Sequence, residues 1–239
     1  MTYDFSILHP TIRLSDGWRK AEQAWFDRCD HPEKVEYILI IDANDDELTP
    51  SMFTRHAISN RRNPAGNRWG SLHVVTNYLR HCYVDAQNVG ARWSYGDLLI
   101  TSADDWFPCD HWDTRLHEAL PDFSREAVID VDSQSFTGQI IIYPMMTRAY
   151  YERPGRGGCK GELFYPEYLS MGSDDDLTEY AKRDGVVVNA TNLVFEHEHP
   201  WRGNAEHDTH GAYAHVQSME AWEAKDRILS RRKENGFTS

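Results

Sequence analysis

Apolar residues fall into short unbroken runs separated by stretches of helical spacing. Phe5–Thr11 (FSILHPT), Glu36–Asp42 (EYILIID), Ser71–Asn77 (SLHVVTN) and Asp97–Ser102 (DLLITS) have the length and content of buried strands. Between the first two, Asp16–Cys29 sets Trp18, Ala21, Trp25 and Cys29 at helical spacing behind Asp16, a candidate N-cap. Val84–Trp93 does the same with Val84, Gln87, Asn88 and Ala91, and Gly96 ends that helix. Asn44–Glu47 reads as a polar turn and Leu48–Asn60 as a further helix. Short apolar strands alternating with amphipathic helices predict a mostly parallel α/β sheet.

The second half is patterned differently. Ala127–Asp132 and Gln139–Tyr143 read as strands, Asp174–Arg183 as a helix opened by acids, and Val186–Glu196 as a long strand running into a His-rich stretch. Val216–Lys233 predicts a charged C-terminal helix. Arg153–Lys160 is rich in glycine and carries Arg153, Arg156 and Lys160. Its composition predicts a mobile loop that closes over a substrate, with the cations meeting an anionic group. Nothing divides the chain into independent domains. The expected organisation is one domain over 1–239, with a nucleotide-binding half (1–108), an acceptor and catalytic half (109–215) and a C-terminal helix (216–239).

Composition narrows the class. The chain has 239 residues, 40% of them hydrophobic, which suffices for a real core. A formal net charge of -13 disfavours a broad nucleic-acid-binding face and favours divalent cations. Arg55, Arg61, Arg62, Arg68 and the Arg153/Arg156 loop are the residues that could build a local basic groove. The longest apolar run, Ile38–Ile41, is far too short for a membrane span. The N-terminus lacks a signal-peptide pattern, and Cys29, Cys82, Cys109 and Cys159 are widely spaced. A cytoplasmic protein with free thiols is expected.

In open parallel sheets, ligands bind outside the carboxyl ends of the strands. Thr11, Asp42 and Asp104-Asp105 each close a strand, so the fold lines them along one edge. Adjacent carboxylates at a buried strand end repel one another, and a hard divalent cation relieves that repulsion while leaving positions for phosphate oxygens. The competing reading of this pair is a helix N-cap beside a solvated acid.

The same segment carries a family pattern. Asn88-x-Gly90-Ala91, Gly96-Asp97-Leu98-Leu99-Ile100, Ala103-Asp104-Asp105, Pro108 and Trp112, with the opening His9-Pro10-Thr11 and Asp42, resemble the GT-A glycosyltransferases, most closely the inverting family 2. The resemblance implies a Rossmann-like, mostly parallel central sheet flanked by helices, here with a C-terminal helical extension. It implies that Thr11, Asp42, Asn88 and Asp104 line the nucleotide-sugar pocket, with Asp45 a rival to Asp42 for the base. Asp104 and Asp105 would form the DxD-type motif that holds Mn2+ or Mg2+, Asp105 in direct contact with the metal. Ser102 stands where many members have the first acid, so this motif is shifted to adjacent aspartates.

The resemblance also implies a general base among the acids opening a helix after the loop, here Asp174-Asp175-Asp176, with Asp174 and Asp175 the candidates. Helix-dipole and capping roles explain such acids equally well. His197 and His199 share a face of a strand, and either could complete the metal site, as a late histidine does in some GT-A enzymes. A separate zinc site with His207, Asp208 and His210, or ordinary surface histidines, are the other readings. Trp106 and Trp201 are candidate sugar-stacking rings.

The expected function is metal-dependent, inverting transfer of a sugar from a nucleotide-sugar donor, UDP-sugar favoured, to an unidentified hydroxyl acceptor. Nucleic acid enters only as a modified-base acceptor, and no membrane partner is expected. The alternatives are a nucleotidyltransferase, for which HPTIRLSDG lacks the glycine cluster, and a non-catalytic nucleotide-sugar-binding module. A metal hydrolase would explain the histidines but not the Asp104-Asp105 strand end.

Overall fold

The computed structural model describes residues 3–11, 17–42, 69–79, 82–135, 138–198 and 219–238. The expected Asn44–Glu47 turn and Leu48–Asn60 helix lie outside these residues, as do Asp45, Arg55, Arg61, Arg62, Arg68, His199, Trp201, His207, Asp208 and His210. In chain order the elements begin β1 (Phe5–Thr11), α1 (Gly17–Asp27), β2 (Val35–Asp42), β3 (Ser71–Asn77), α2 (Tyr83–Arg92) and β4 (Leu98–Thr101). Then come β5 (Trp106–Phe107), α3 (Trp112–Ala119), β6 (Val128–Asp132), β7 (Met145–Thr147), α4 (Arg148–Tyr151), α5 (Ser173–Asp184), β8 (Val187–Val194), β9 (Glu196–His197) and α6 (Met219–Glu234).

The main sheet has the order β3-β2-β1-β4-β7-β6-β8. β1 pairs in parallel with β2 and β4, β2 with β3 and β6 with β8, while β7 runs antiparallel to both of its neighbours. The fold is the mostly parallel α/β sheet that the alternation predicts. Successive strand residues feed opposite faces. Leu8, Ile38, Ile40, Leu99, Val128 and Met146 pack on one side with Val84 and Val89 of α2. Ile7, Tyr37, Ile100, Ile129 and Met145 pack on the other with Trp25 and Trp112. Both faces are covered, which is why the strands read as continuous apolar runs. Gly90 is required by this packing: a Cβ there would stand 2.9 Å from Ile40 Cδ1, so glycine lets α2 lie close on the sheet.

One strand is displaced from its expected place. Gln139–Tyr143 is irregular, and the antiparallel strand begins after Pro144, at Met145. Tyr143 has φ 53, outside the extended region, which breaks the apolar run before the proline. The preceding segment is instead tied to α5 through Ile141 N–H to Thr178 Oγ1 (2.9 Å) and Lys182 Nζ to the Gln139 carbonyl (2.8 Å).

The Arg153–Lys160 segment is also corrected. Arg156 is buried and donates to the Tyr151, Leu163 and Glu162 carbonyls and to the Tyr180 hydroxyl. Arg153 pairs with Glu126 and Asp184, each at 3.3 Å. Arg156 is thus held inside the fold and Arg153 is engaged in ion pairs nearer the surface, which braces this part of the segment, while Lys160 is exposed.

Candidate active site

The carboxyl end of β1 carries His9 and Thr11, and the chain leaving β4 carries Asp104. His9 Nε2 is 2.8 Å from Asp104 Oδ1, and Thr11 Oγ1 donates to Oδ2 at 2.9 Å. His9 and Tyr37 are fully buried, and the His9 Nδ1 meets the Tyr37 hydroxyl. An ionised carboxylate can only accept, so Nε2 is the donor to Asp104. Both oxygens of Asp104 are thereby oriented by β1. Gln87 Nε2 fastens the same strand ends from α2, donating to the Leu8 (3.3 Å) and Ser102 (3.0 Å) carbonyls.

Asp105 sits in a different setting. Tyr143 donates its hydroxyl to Oδ1 at 2.9 Å, and His197 Nε2 lies 3.5 Å from Oδ2. The small ribbon β5–β9 makes this contact: Trp106 pairs with His197, and Glu198 N–H donates to the Asp105 carbonyl at 2.8 Å. The positive φ at Tyr143 turns its ring onto Trp106, with centroids 4.5 Å apart and stacked, while His197 meets the ring edge-on at 5.2 Å. Trp106 is wholly buried in this stack, so it supports the site from beneath and is not an exposed sugar platform. Among the described residues no group of three or more His, Cys, Asp or Glu side chains is arranged to hold a metal ion. Asp105 and His197 supply two donors.

At the end of β2, Asp42 is largely buried and accepts from Asn77 Nδ2 at 2.7 Å, the residue paired with it on β3. Asn88 is buried, and its amide clasps the backbone of Phe164: Phe164 N–H donates to Oδ1 (2.8 Å) and Nδ2 donates to the carbonyl (3.1 Å). It anchors the loop before α5.

The acid trio separates into three roles. Asp176 is fully buried and paired through both oxygens with Arg232 of α6, at 3.0 Å each. Asp175 is paired with Lys225 of α6 at 3.1 Å. Asp174 is part-buried and has no salt-bridge partner among the described residues, and burial followed by the charge of Asp175 raises its carboxyl to about 6. Tyr83, opening α2, ties the two halves together. Burial raises its phenol far above the ordinary range, and the charges of Asp174 and Asp105 both push it in that direction.

Sequence reading missed His9, Tyr37, Tyr83, Tyr143 and Lys225. His9 left a signal, since a histidine within the apolar run FSILHPT requires a buried partner. The others are brought in by long-range packing.

No protein-family model matches the chain, and no curated protein matches it. Solved structures do. Residues 1–349 of S. aureus TarS, in complex with UDP-GlcNAc, superpose with a TM-score of 0.65 at 14% identity, over 96% of this chain and 66% of that one. The mannosyltransferase PcManGT from Pyrobaculum calidifontis, in complex with GDP-Man and Mn2+, gives 0.60 at 18% identity, over 85% of this chain and 59% of that one. GalNAc-T7 with UDP, GalNAc and Mn2+ gives 0.60 at 14% identity, over 82% and 44%. The chain spans less than two thirds of these proteins' lengths, and 36% of a longer TarS structure. The sheet, its order and this likeness define the GT-A glycosyltransferase fold.

Proposed function

We propose that the protein transfers a sugar from a nucleotide-sugar donor to a hydroxyl acceptor with inversion, using Asp174 as general base. The observation that carries this reading is the placement of Asp104 and Asp105 where the chain leaves β4, with Thr11 bonded to Asp104, in a GT-A fold. The donor half of the cleft is assigned to Thr11, Asp42 and Asp104 at the strand ends. A UDP-sugar is favoured because S. aureus TarS, similar over most of this chain, is bound to UDP-GlcNAc.

The residues fit a divalent cation. Asp105 Oδ2 and His197 Nε2 lie 3.5 Å apart, so this carboxylate and imidazole would hold the ion together. A carboxylate and an imidazole also suit Mn2+ better than the all-oxygen set typical of Mg2+. When bound, such an ion would neutralise the diphosphate that departs.

Asp174 takes the proton of the acceptor hydroxyl as its oxygen attacks the anomeric carbon. The bond from that carbon to the diphosphate oxygen breaks on the opposite face, and the nucleoside diphosphate leaves. A carboxylate with its pKa near 6 is ionised at neutral pH yet more basic than an exposed aspartate, which suits this task. The measurement is product stereochemistry by NMR after incubation with UDP-, GDP- and dTDP-sugars and Mn2+. An inverted anomeric centre is expected. Retention would overturn the mechanism, and formation of nucleoside triphosphate and sugar 1-phosphate on addition of pyrophosphate would indicate a nucleotidyltransferase.

A further inference from the structure

Helix α6 reaches the acid cluster through one lysine. Lys225 Nζ lies 3.1 Å from Asp175 Oδ2, with the two side chains only 13% and 21% exposed. The lysine stem crosses the start of α5 over Gly172, where a Cβ would stand 2.5 Å from Lys225 Cγ; this glycine has φ 88. The ammonium also lies 4.9 Å from the Trp222 ring of its own helix, which holds it in place. Three other cations of α6 are committed elsewhere: Arg231 to Glu167, Arg232 to Asp176 and Lys233 to Glu179. A largely buried ammonium needs a counter-charge, and Asp175 provides it.

The neighbour of that ion pair is Asp174. Asp175 adjoins it on its own helix, with the Asp175 N–H donating to Asp174 Oδ1 at 3.1 Å, and the charge of Lys225 acts on it from α6, while the phenol of Tyr83 in α2 feels both Asp174 and Asp105. Asp175 opposes ionisation of Asp174, Lys225 favours it, and the phenol is neutral.

We propose that Lys225 is a positioning residue of the transfer reaction, which pairs with Asp175 so that the adjacent Asp174 can ionise in the working pH range. The proposal rests on Asp174 being the base. Two neighbouring carboxylates repel, and the lysine offsets that repulsion from a separate element. The C-terminal helix thus completes the catalytic centre without touching substrate.

The test is a carboxyl 13C NMR titration of the full chain labelled at aspartate, with Asp174→Asn used to assign the resonance. It needs neither donor nor metal. Lys225→Met moves the Asp174 midpoint up by about one pH unit, Lys225→Arg keeps it in place, and Asp175→Asn moves it down. The acid limb of turnover, followed as nucleoside diphosphate release from UDP-, GDP- or dTDP-sugars with Mn2+, shifts the same way. A purely structural lysine would lower the rate at every pH and leave the limb where it was. An unmoved midpoint in folded Lys225→Met overturns the proposal; should that variant fail to fold, an unmoved or raised midpoint in Asp175→Asn does so. The two readings fail separately. Full turnover in Asp174→Asn removes the base assignment and the proposal with it. Lost turnover in Asp174→Asn with no midpoint shift in Lys225→Met removes the proposal alone. Loss in Asp175→Asn as deep as in Asp174→Asn makes Asp175 the base and overturns both.

Discussion

Asp174 shows how a single side chain trades stability for chemistry. Its carboxyl is raised to about 6 by burial and by Asp175, so the fold prefers the neutral form. The sign follows from linkage: the unfolded chain ionises first, and stability falls as pH rises from about 4 through about 6. Asparagine copies the neutral carboxyl. Asp174→Asn should therefore stabilise the protein at pH 7 by about 1 to 2 kcal/mol, a value reduced for partial exposure. It should also reduce kcat by roughly 10^2- to 10^4-fold, with donor affinity nearly unchanged. Thermal melts at pH 4 and pH 7 check the first half, because the gain should vanish at the lower pH. A loss of donor affinity as large as the loss of kcat would move Asp174 from the base role to donor binding.

At the scale of elements, the junction of α5, α6 and the turn at Arg156–Gly158 is built on buried charge. Arg232 is fully buried, grips Asp176 through both oxygens, donates to the Gly157 carbonyl and lies 3.8 Å from the Tyr165 ring centroid. Removing one partner leaves the other charge buried and uncompensated, which costs about 3 to 5 kcal/mol. Arg232→Met is thus expected to lower Tm sharply and release α6. The double variant Arg232→Met, Asp176→Leu recovers most of the loss, since it buries no charge. Denaturant unfolding of the two proteins separates the outcomes: equal loss in both would mean that packing, not charge, holds the junction. By contrast, Asn88 joins α2 to the loop before α5 with neutral hydrogen bonds to Phe164 alone.

At the scale of the whole molecule, three distant segments meet at Asp105. The strand end supplies the carboxylate, the turn before Pro144 supplies Tyr143, and the late ribbon supplies His197. Nucleotide binding should depend on this junction and on a divalent ion. Calorimetry with UDP and Mn2+ is expected to show binding that EDTA abolishes and that Asp105→Ala weakens by an order of magnitude or more, because one ligand to the neutralising charge is lost. Equal binding in EDTA would contradict metal-dependent donor binding. Among the described residues no helix is long and apolar enough to cross a membrane.

The sequence by itself determined the local matters. Strand lengths, the helices before and after them, and the strand-end positions of Thr11, Asp42 and Asp104-Asp105 follow from runs and periods that neighbouring residues decide. Only the tertiary structure decided the displaced strand, because IIIYPMM is apolar on both sides of Pro144 and periodicity cannot choose between them. It also decided the fate of the cations and acids. Arg156 looks available in a glycine-rich loop, yet backbone carbonyls and Tyr180 surround it. Asp174, Asp175 and Asp176 are the same residue type in succession. They differ because 100° turns of the helix aim them differently: Asp175 meets Lys225 and Asp176 meets Arg232. Those neighbours come from some 50 residues further along the chain, and a charge's worth depends on what folding puts beside it.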